Sequence, residues 1–441
     1  MGARSILVTT PHTESVIILG RTLPGLIAAA DLARQGYPVT LVEHPRWTSD
    51  SPSPAYLLGC HRRTWALLHS LHPQGSAYRD HALPLEFRLP DGRIVSYRST
   101  SLPGSLHWIA GLVRFRGLSW QDRWQLLSYL ERVWEQEAAV PTSLEQRTAA
   151  AWLTAIGQSQ AACDAVWDPL VRFLTGNRLA TLSAATFAQA VAQPFLSESS
   201  ATQLTLLEGS LDDRIMAPLA AALAHSGVTV LPQRDLPYLH FERNAIAHVR
   251  LCDGTALQAT WYLSALPHRH LLALLPDRLL TRYAYFSQVG ELRNRHELTV
   301  EIRGPRHERA PRLLLLSGTS FERLTVTAAE SESSTFRLTL TVDDTSAPPT
   351  DEVLFGLARK DLRSIMPAIP DTALFPISVQ RRDQAMLSLT PGTALSRPIQ
   401  RSPMHNLLVA GGWTDTGWPD HIESAVVSAH RCAEIITGAV G

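Results

Sequence analysis

The stretch Ser15–Glu43 constrains the fold of this chain more than any other part of the sequence. An apolar run, Val16–Leu19, is followed by Gly20, then by apolar residues at helical spacing, and then by a second apolar run, Val39–Val42. Strand, tight turn, helix and strand in this order are typical of a dinucleotide-binding βαβ unit, whose second strand ends on an acid that can hold ribose hydroxyls. Glu43 stands at that place. The sequence therefore predicts an α/β fold with a Rossmann-like first unit.

The glycine fingerprint of the turn is incomplete. Gly-x-Gly-x-x-Gly here reads Gly20-Arg21-Thr22-Leu23-Pro24-Gly25, so Thr22 stands at the middle glycine position. That glycine normally lets the backbone approach a pyrophosphate. The Thr22 hydroxyl offers a donor to a phosphate, whereas the bulk of the side chain works against close approach. Nucleotide binding is favoured, and the alternative is a unit kept for its fold alone.

Charge and cysteine content exclude several function classes. Lys and Arg together number 40, as do Asp and Glu, so the chain lacks the basic excess that nucleic-acid binding usually needs. The cysteines Cys60, Cys163, Cys252 and Cys432 form no Cys-x-x-Cys pair and fit reduced thiols in a cytoplasmic protein, without a metal site. The cluster His268-Arg269-His270 has no companion ligand motif, so a solvated loop is expected there.

The stretch Leu102–Glu137 is rich in tryptophan and leucine and is predicted to be helical and amphipathic. Trp108, Ile109, Leu112, Val113 and Phe115 form an apolar stretch, and Arg114 and Arg116 stand on either side of Phe115. Such a segment can lie on a membrane surface, and ordinary helix packing in a helical subdomain is the alternative. No signal peptide or membrane-spanning stretch is evident. We therefore expect a cytoplasmic protein, with peripheral contact to the inner membrane if this segment docks there.

Between these landmarks, helical and strand-rich stretches alternate. The predicted elements are a helix over Tyr56–Ser70, a hairpin around Asp91-Gly92, a helix over Leu207–Ser226, a three-stranded meander over Pro237–Leu263, a strand-rich region over His270–Ser346 and a helix over Asp351–Pro367. A strand after a helix, then a meander with an Ala-x-Pro exit, form an accessory layer typical of flavin-binding folds with two dinucleotide units.

The C-terminal segment is the second informative stretch. An apolar strand, Asn406–Ala410, leads into the loop Gly411–Pro419 and then into a last helix, His421–Ile436. Asp420 and Glu423 have the spacing of a capping box, so Asp420 is expected as N-cap and Glu423 as its partner. The functional alternative is that this helix N-terminus, where backbone N–H groups and the dipole converge, faces a polar group of a cofactor.

The N-terminal βαβ unit and the C-terminal Gly-Gly-Trp-Thr-x-Thr-Gly-Trp-Pro loop together resemble the flavin amine oxidase and carotenoid desaturase superfamily. More closely, the chain resembles the squalene-associated FAD-dependent desaturases, which are hydroxysqualene dehydroxylases of squalene and hopanoid synthesis. The resemblance covers nearly the whole chain. Its further matching segments are Tyr56–Leu68, Leu102–Leu127 with Pro103 and His107, Trp167–Leu170, Ala265–Pro267 and Ser424–Ser428.

This resemblance implies a fold, a ligand and a set of contacts. It implies an FAD-binding Rossmann-like domain of the glutathione-reductase type, built from residues 12–75, 205–270 and 376–441. A discontinuous α+β substrate or cap domain would take residues 76–204 and 271–375. The implied contacts to FAD are Gly20, Arg21, Thr22, Gly25, Glu43, Arg46, Leu236, Gly411, Gly412, Trp413, Trp418, Pro419 and Ile422.

The implied reaction is reductive removal of the hydroxyl of hydroxysqualene, a long-chain isoprenoid, to give squalene. The flavin carries this chemistry, so no catalytic side chain is assigned. Asp415 is a candidate polar group near the flavin, with a loop carboxylate in a local turn bond as the alternative. Other enzymes of the squalene pathway are candidate partners.

The chain departs from the family pattern at three places around the same cofactor. Thr22 replaces the middle glycine. The loop after Glu43 lacks the usual Gly-Gly-Arg turn and retains only Arg46. Gly412 stands where the family usually has an Asp that holds a hydroxyl of the flavin's sugar chain. Losing one charged hydrogen bond costs about 1.5–3 kcal/mol, or about ten- to a hundredfold in affinity, so these departures predict weakened or lost FAD binding.

Two hypotheses from different classes remain open. The first is an FAD-dependent oxidoreductase that acts on a squalene-like isoprenoid. The second is a non-catalytic homologue that keeps the fold and binds a lipid or a partner enzyme of the squalene pathway. An amine oxidase is disfavoured because no aromatic cage for a substrate amine is evident in the sequence.

Overall fold

The structure is a computed structural model that describes residues 14–47, 56–73, 78–100, 102, 106–135, 142–207, 209–307, 312–328, 333–343 and 349–438. Its strands are β1 (Val16–Leu19), β2 (Val39–Glu43), β3 (Tyr56–Leu58), β4 (Tyr78–Leu83), β5 (Leu85–Arg88), β6 (Ile94–Tyr97), β7 (Leu204–Leu207), β8 (Thr229–Pro232), β9 (Tyr238–Glu242), β10 (Ala245–Arg250), β11 (Ala256–Leu257), β12 (Trp261–Ser264), β13 (Asn294–Pro305), β14 (Leu313–Leu316), β15 (Arg323–Ala328), β16 (Ser333–Asp343), β17 (Phe375–Leu387) and β18 (Leu407–Val409).

The helices are α1 (Leu23–Arg34), α2 (Arg62–Leu71), α3 (Leu106–Arg114), α4 (Trp120–Glu135), α5 (Ala149–Ala155), α6 (Gln160–Ala162), α7 (Asp168–Thr175), α8 (Ala184–Phe195), α9 (Ala217–Leu223), α10 (His268–Leu274), α11 (Asp277–Arg282), α12 (Ala284–Glu291), α13 (Asp351–Ile365), α14 (Thr393–Ser396) and α15 (Ile422–Thr437). Two π-helical turns, Cys163–Trp167 and Asp212–Met216, lead into α7 and α9.

A parallel sheet in the order β18-β12-β1-β2-β8 forms the first layer. Every residue of β1 is buried, as expected for a central strand with helices on its faces. Helix α1 packs against α15 and α9, and Leu26, Ala29 and Val426 lie in one core with Ile18 of the sheet. The predicted α/β, Rossmann-like fold is confirmed, and β1 has the predicted bounds.

A mixed sheet in the order β17-β13-β16-β15-β14-β5-β6 forms the second layer, here called the cap sheet. Its strand pairs are antiparallel except for β14 with β5. Helix α13 covers one face, where Leu354, Ala358 and Leu362 share a core with Val300 and Leu338. The predicted hairpin at Asp91-Gly92 is present as β5 and β6, and Gly92 has φ +86°.

Several predicted elements are wrong. Tyr56–Leu58 was expected to be helical but forms β3, which pairs with β7, and α2 begins only at Arg62. The predicted helix over Leu207–Ser226 begins later, because Leu207 is the last residue of β7. The first part of the region His270–Ser346, expected to be strand-rich, lies in α10, α11 and α12. A short apolar run does not distinguish a buried strand from a short helix, because apolar side chains can be buried in either element.

Strand pairing also changes two longer-range expectations. The segment from residue 376, assigned to the nucleotide-binding half, forms β17 and pairs with β13, so that strand belongs to the cap sheet. The meander predicted over Pro237–Leu263 ends in the short β11, whereas β12 leaves it and joins β1 in the parallel sheet. A single sequence does not reveal strand partners, because pairing depends on distant segments.

The tryptophan-rich stretch forms α3 and α4, joined by a short turn. Among the described residues, no helix combines the length and the apolar character needed to cross a membrane. The Pro- and Ser-rich loop at 48–55, Pro103, and the predicted domain start at residues 12 and 13 lie outside the described residues.

Candidate functional site

A cavity of about 720 Å³ lies between the parallel sheet and the cap sheet. This volume falls within the range of about 300–1,000 Å³ that ligand pockets occupy. Its walls come from the first turn of α1, the end of β12, the C-terminal loop, α7, and the cap strands β13, β15 and β17. The predicted contact residues that line it are Thr22, Arg46, Gly411, Gly412, Trp413, Trp418, Pro419 and Ile422.

The turn between β1 and α1 needs both of its remaining glycines. Gly20 has φ +106°, a conformation that side chains other than glycine rarely adopt. A Cβ on Gly25 would lie 2.1 Å from the Gly20 carbonyl oxygen, so only glycine permits this approach of helix to turn. Leu23 and Pro24 at the start of α1 line the cavity, where the helix dipole favours an anionic group.

Thr22 has a structural role at this turn. It is the N-cap of α1, and its hydroxyl oxygen accepts from Gly25 N at 3.4 Å. The same hydroxyl donates to the Ala265 carbonyl oxygen at 2.7 Å, which ties the turn to the end of β12. Because its proton is used in that bond, the Thr22 hydroxyl is not directed at a ligand phosphate in this structure.

The remaining predicted contacts of the nucleotide half lie at the edge. Glu43, at the end of β2, is 3.6 Å from Arg21 in an ion pair between two partly exposed side chains. Leu236 lies in the β8–β9 connection and is 45% exposed. Arg46 lines the cavity. The other predicted contacts of this half are not among the described residues that line it: Gly20, Arg21, Gly25, Glu43 and Leu236.

One partly buried arginine organises the C-terminal loop. Arg397 donates to the carbonyl oxygens of Gly412 and Thr414 at 2.8 and 2.6 Å, and to that of Trp418 at 2.6 Å. Hydrogen bonds from a charged donor are stronger than neutral ones. The loop therefore has a fixed shape where it forms the cavity wall.

Asp415 and Trp413 of this loop face different surroundings. Asp415 is exposed, its Oδ1 accepts from Gly417 N at 3.3 Å, and it is not among the described residues that line the cavity. Trp413 is buried, and its indole N–H donates to the Leu266 carbonyl oxygen at 3.0 Å. Trp413 of this loop therefore lines the cavity. Asp415 instead makes a local turn bond, which is the alternative that the sequence left open for it.

The predicted capping box at the last helix is wrong. His421, not Asp420, is the N-cap of α15, and its Nδ1 accepts from Glu423 N at 3.1 Å. The Glu423 carboxylate instead accepts from Arg63 N and Thr64 N at 2.9 Å each, at the start of α2. A buried carboxylate is better satisfied there, because α2 has no side-chain cap from its own N-cap residue.

Two neutral imidazoles and an indole cluster at the cavity. The ring of His61 is 4.9 Å from that of His421 and 5.8 Å from that of Trp418. Burial lowers the pKa of His61 to about 3 and that of His421 well below its usual value. Because the Nδ1 atoms accept from Leu58 N and Glu423 N, both rings carry their proton on Nε2.

The cap wall combines buried charges with aromatic faces. Glu297 pairs with Arg323 at 2.8 Å and lies 3.9 Å from Arg382. Burial alone raises the pKa of Glu297, but these two arginines bring it below its usual value. Arg323 also lies 5.7 Å from the Tyr56 ring, which stacks on Phe173. Glu297 is thus shared by two arginines, and Arg323 and Phe173 both lie against the Tyr56 ring.

The expected solvated loop at His268-Arg269-His270 is wrong. These residues begin α10, His268 is buried, and both histidines line the cavity. Burial lowers the pKa of His268 to about 4, so the ring is neutral at pH 7. Pro267 is the N-cap of α10 and lines the cavity at the point where the chain leaves β12.

Several lining residues were not predicted as contacts, among them His268, Glu297 and Arg323, whereas Tyr56 and His61 lie in the segment Tyr56–Leu68 that matches the family. They come from distant segments, and only the fold brings them together. The local sequence did not single out Glu297, because polar residues occur throughout the strand Asn294–Pro305 that carries it.

A parallel sheet with a glycine turn after its first strand, and a separate cap sheet across a shared cavity, define a two-part α/β protein of the Rossmann-like class. The model of the flavin-containing amine oxidoreductases matches residues 53–437, most of the chain, which therefore belongs to that family.

Relatives and solved structures are similar at low identity. The chain is 22% identical to the zeta-carotene desaturase of Synechocystis sp., over 66% of each protein. It is also 22% identical to the probable zeta-carotene desaturase of Synechococcus elongatus, over 95% of the chain and 98% of the relative. A short segment, 14% of the chain, is 38% identical to the hydroxysqualene dehydroxylase of Rhodopseudomonas palustris and covers 15% of it.

Among solved structures, an oxidoreductase from Methanosarcina mazei superposes with a TM-score of 0.72 at 15% identity, over 95% of the chain and all of that structure. The cyclohexylamine oxidase of Brevibacterium oxydans superposes with a TM-score of 0.64 at 16% identity, over 97% of the chain and 99% of that structure. At these identities, the similarity concerns the fold.

Proposed function

We propose that this flavin-family oxidoreductase uses FAD to act on a long-chain isoprenoid, with hydroxysqualene as substrate and squalene as product. The observation that carries the proposal is the shared cavity, which joins the α1 turn, Arg46 and the C-terminal loop to the aromatic wall of the cap. Similarity to zeta-carotene desaturases supports an isoprenoid substrate, and the short segment shared with hydroxysqualene dehydroxylase supports this particular one.

The residues present fit a dinucleotide. The Gly20 and Gly25 geometry is intact, and the start of α1 at Leu23 and Pro24 opens on the cavity. Arg46 adds a cation near that helix terminus. Gly411, Trp413 and Ile422 would hold the other end, beside the N-terminus of α15. The proposed reaction replaces a C–OH bond with a C–H bond and releases water, and the electron pair that it consumes is what a reduced flavin supplies when bound.

The chain's own part in this reaction is binding and exclusion of water. Tyr56, Phe173 and Leu174 supply an apolar surface, and Pro194 and Met386 add to it. On the cap side, Glu297 is shared by Arg323 and Arg382, so these charges contact one another within the protein. This is a positioning role.

A non-catalytic, lipid-binding homologue is the second candidate function. Two of the expected cofactor contacts bind protein groups instead, which favours this function. Thr22 donates to the Ala265 carbonyl oxygen, and Arg21 pairs with Glu43. Protein refolded or purified in FAD and then freed of unbound ligand separates the two candidates. Retained flavin and conversion of hydroxysqualene to squalene under reducing conditions support the oxidoreductase, and binding of hydroxysqualene without retained flavin supports the homologue.

The chain also has a surface suited to peripheral contact with a membrane. Trp120 and Trp124, one turn apart on α4, are 65% and 62% exposed. Val113, Arg114 and the nearby Arg116 are also exposed. Tryptophan beside arginine is typical of segments that lie at the boundary of headgroups and acyl chains. We include contact with an anionic lipid surface in the proposal, because an isoprenoid substrate partitions into membranes.

The turn between α3 and α4 holds this surface in place. Arg123 donates to the Val113 carbonyl oxygen at 2.6 Å and, through Nε and Nη2, to the Leu118 carbonyl oxygen at 3.0 and 2.8 Å. These bonds fix the end of α3 against the start of α4. The exposed tryptophans therefore project from an ordered corner of the molecule.

A further inference from the structure

Position 412 in the cavity wall has no room for a side chain while the Asp420 carboxylate holds its present position. A Cβ placed on Gly412 would lie 2.2 Å from Asp420 Oδ1 and 3.3 Å from the His421 carbonyl oxygen. The first distance is far below any permitted contact. Glycine at 412 and the position of the Asp420 carboxylate therefore depend on each other, and an acid at 412 is excluded while Asp420 lies there.

The Asp420 carboxylate is held at the cavity. Its Oδ2 accepts from Leu387 N at 2.9 Å, at the end of β17. Asp420 lines the cavity and keeps a partly exposed surface. A carboxylate has about four acceptor positions, so the bond to Leu387 leaves others for a ligand.

The surroundings of Asp420 select the kind of donor. Burial raises its pKa, and the nearby Arg397 guanidinium opposes that rise. Arg397 is bonded to loop carbonyl oxygens and compensates the carboxylate charge. A second cation is not required here, so a neutral O–H group is the donor that best fits this acceptor.

We infer that Asp420 accepts a hydrogen bond from a ligand hydroxyl. It would thereby replace the acceptor that an acidic side chain at position 412 would provide. This inference rests on the proposed function, in which the ligand is FAD and the hydroxyl belongs to the sugar chain of the flavin. The change at Gly412, which by itself predicts weakened binding, is then offset by an acid from eight residues further along the chain.

The test is the dissociation constant for FAD, measured by quenching of flavin fluorescence, with melting temperatures without FAD as the check on folding. Asp420→Asn and Asp420→Ala are expected to weaken FAD binding by about ten- to a hundredfold, the loss of one hydrogen bond to a charged acceptor. Gly412→Asp alone is expected to lower the melting temperature, because two carboxylates meet. The matched control, Asp415→Asn, removes an exposed carboxylate of the same loop and is expected to leave FAD affinity unchanged.

The double variant Gly412→Asp with Asp420→Ala moves the carboxylate back to position 412. Recovery of FAD affinity to within a few-fold of wild type supports a ligand contact, since this variant does not restore the bond to Leu387. Folded Asp420→Asn protein with wild-type FAD affinity overturns the inference while leaving the proposed function intact. Absence of FAD binding by the wild-type chain contradicts the proposed function and, with it, this inference.

Discussion

Glu423 and Thr64 join the last helix of the chain to α2, although 359 residues separate them. Thr64 donates to the Glu423 carboxylate through its backbone N–H at 2.9 Å and through its hydroxyl at 2.6 Å. Arg63 N donates to the other carboxylate oxygen. The carboxylate thus satisfies the first N–H groups of α2 and fixes that helix against α15, next to the cavity.

Replacing Glu423 with alanine should destabilise the protein by about 2–3 kcal/mol, because buried N–H groups of α2 lose their acceptor. Urea unfolding followed by circular dichroism measures the loss. Glu434→Ala is the control, since Glu434 lies 3.9 Å from Arg63 in a more exposed pair and should change stability by less than about 0.5 kcal/mol. Equal losses in the two variants would show that the contact to α2 is not the source of stability.

His61 should make the stability of the protein fall in mild acid. Its folded-state pKa of about 3 lies below its value of 6.5 in the unfolded chain. Between these values the unfolded state binds the proton first, so the free energy of unfolding decreases as pH falls. The His61 contribution between pH 7 and pH 5 is about 2 kcal/mol.

Denaturant melts at both pH values test this dependence in wild type and in His61→Asn, whose amide oxygen can still accept from Leu58 N. The variant should lose most of the His61 contribution, while exposed His69→Asn should keep the wild-type slope. An unchanged slope in His61→Asn would mean that the imidazole does not titrate as the burial of this side chain requires.

Thr22→Gly restores the middle glycine of the fingerprint. We expect tighter FAD binding, because the backbone can then approach the cofactor, and a loss of about 1 kcal/mol in stability from the bonds to Ala265 and Gly25. Thr22→Ser keeps the hydroxyl and should match wild type in stability. Weaker FAD binding in the folded glycine variant would show that Thr22 contributes to cofactor binding.

Replacing Trp120 and Trp124 with serine should reduce cosedimentation with vesicles that contain anionic phospholipid, because both indoles are exposed at one corner. Added salt should weaken wild-type binding as well, since Arg114 and Arg116 accompany them. Tyr238→Ser, which removes an exposed aromatic residue from β9, is the control. Equal cosedimentation of all three proteins would remove the membrane contact from the proposal.

Local pattern was enough to predict the first βαβ unit and the last strand and helix. Val16–Leu19, Gly20 and Gly25 carry signals within a few residues of each other, and steric limits on the turn make those signals specific. The role of Glu423 was misinterpreted because an acid three residues after Asp420 fits a capping box, and the same sequence is compatible with an acid that caps another helix. Only the packing of α15 on α2 distinguishes them.

The cavity shows the same division. Gly411, Trp413 and Ile422, which the family resemblance implied as contacts, do line it. Its cap side includes Glu297 and Arg323, which lie on strands from distant parts of the chain and were not predicted. Asp420 was seen only as a cap, since nothing in a single sequence indicates that its carboxylate occupies the space above Gly412.

FAD binding, on which the proposed function depends, is tested by the visible absorption spectrum of the chain after incubation with FAD and removal of unbound ligand by gel filtration. We expect flavin absorbance to elute with the protein, and we expect Asp420→Asn to lower the amount retained. Protein that elutes without flavin absorbance, although folded by circular dichroism, would contradict FAD-dependent function.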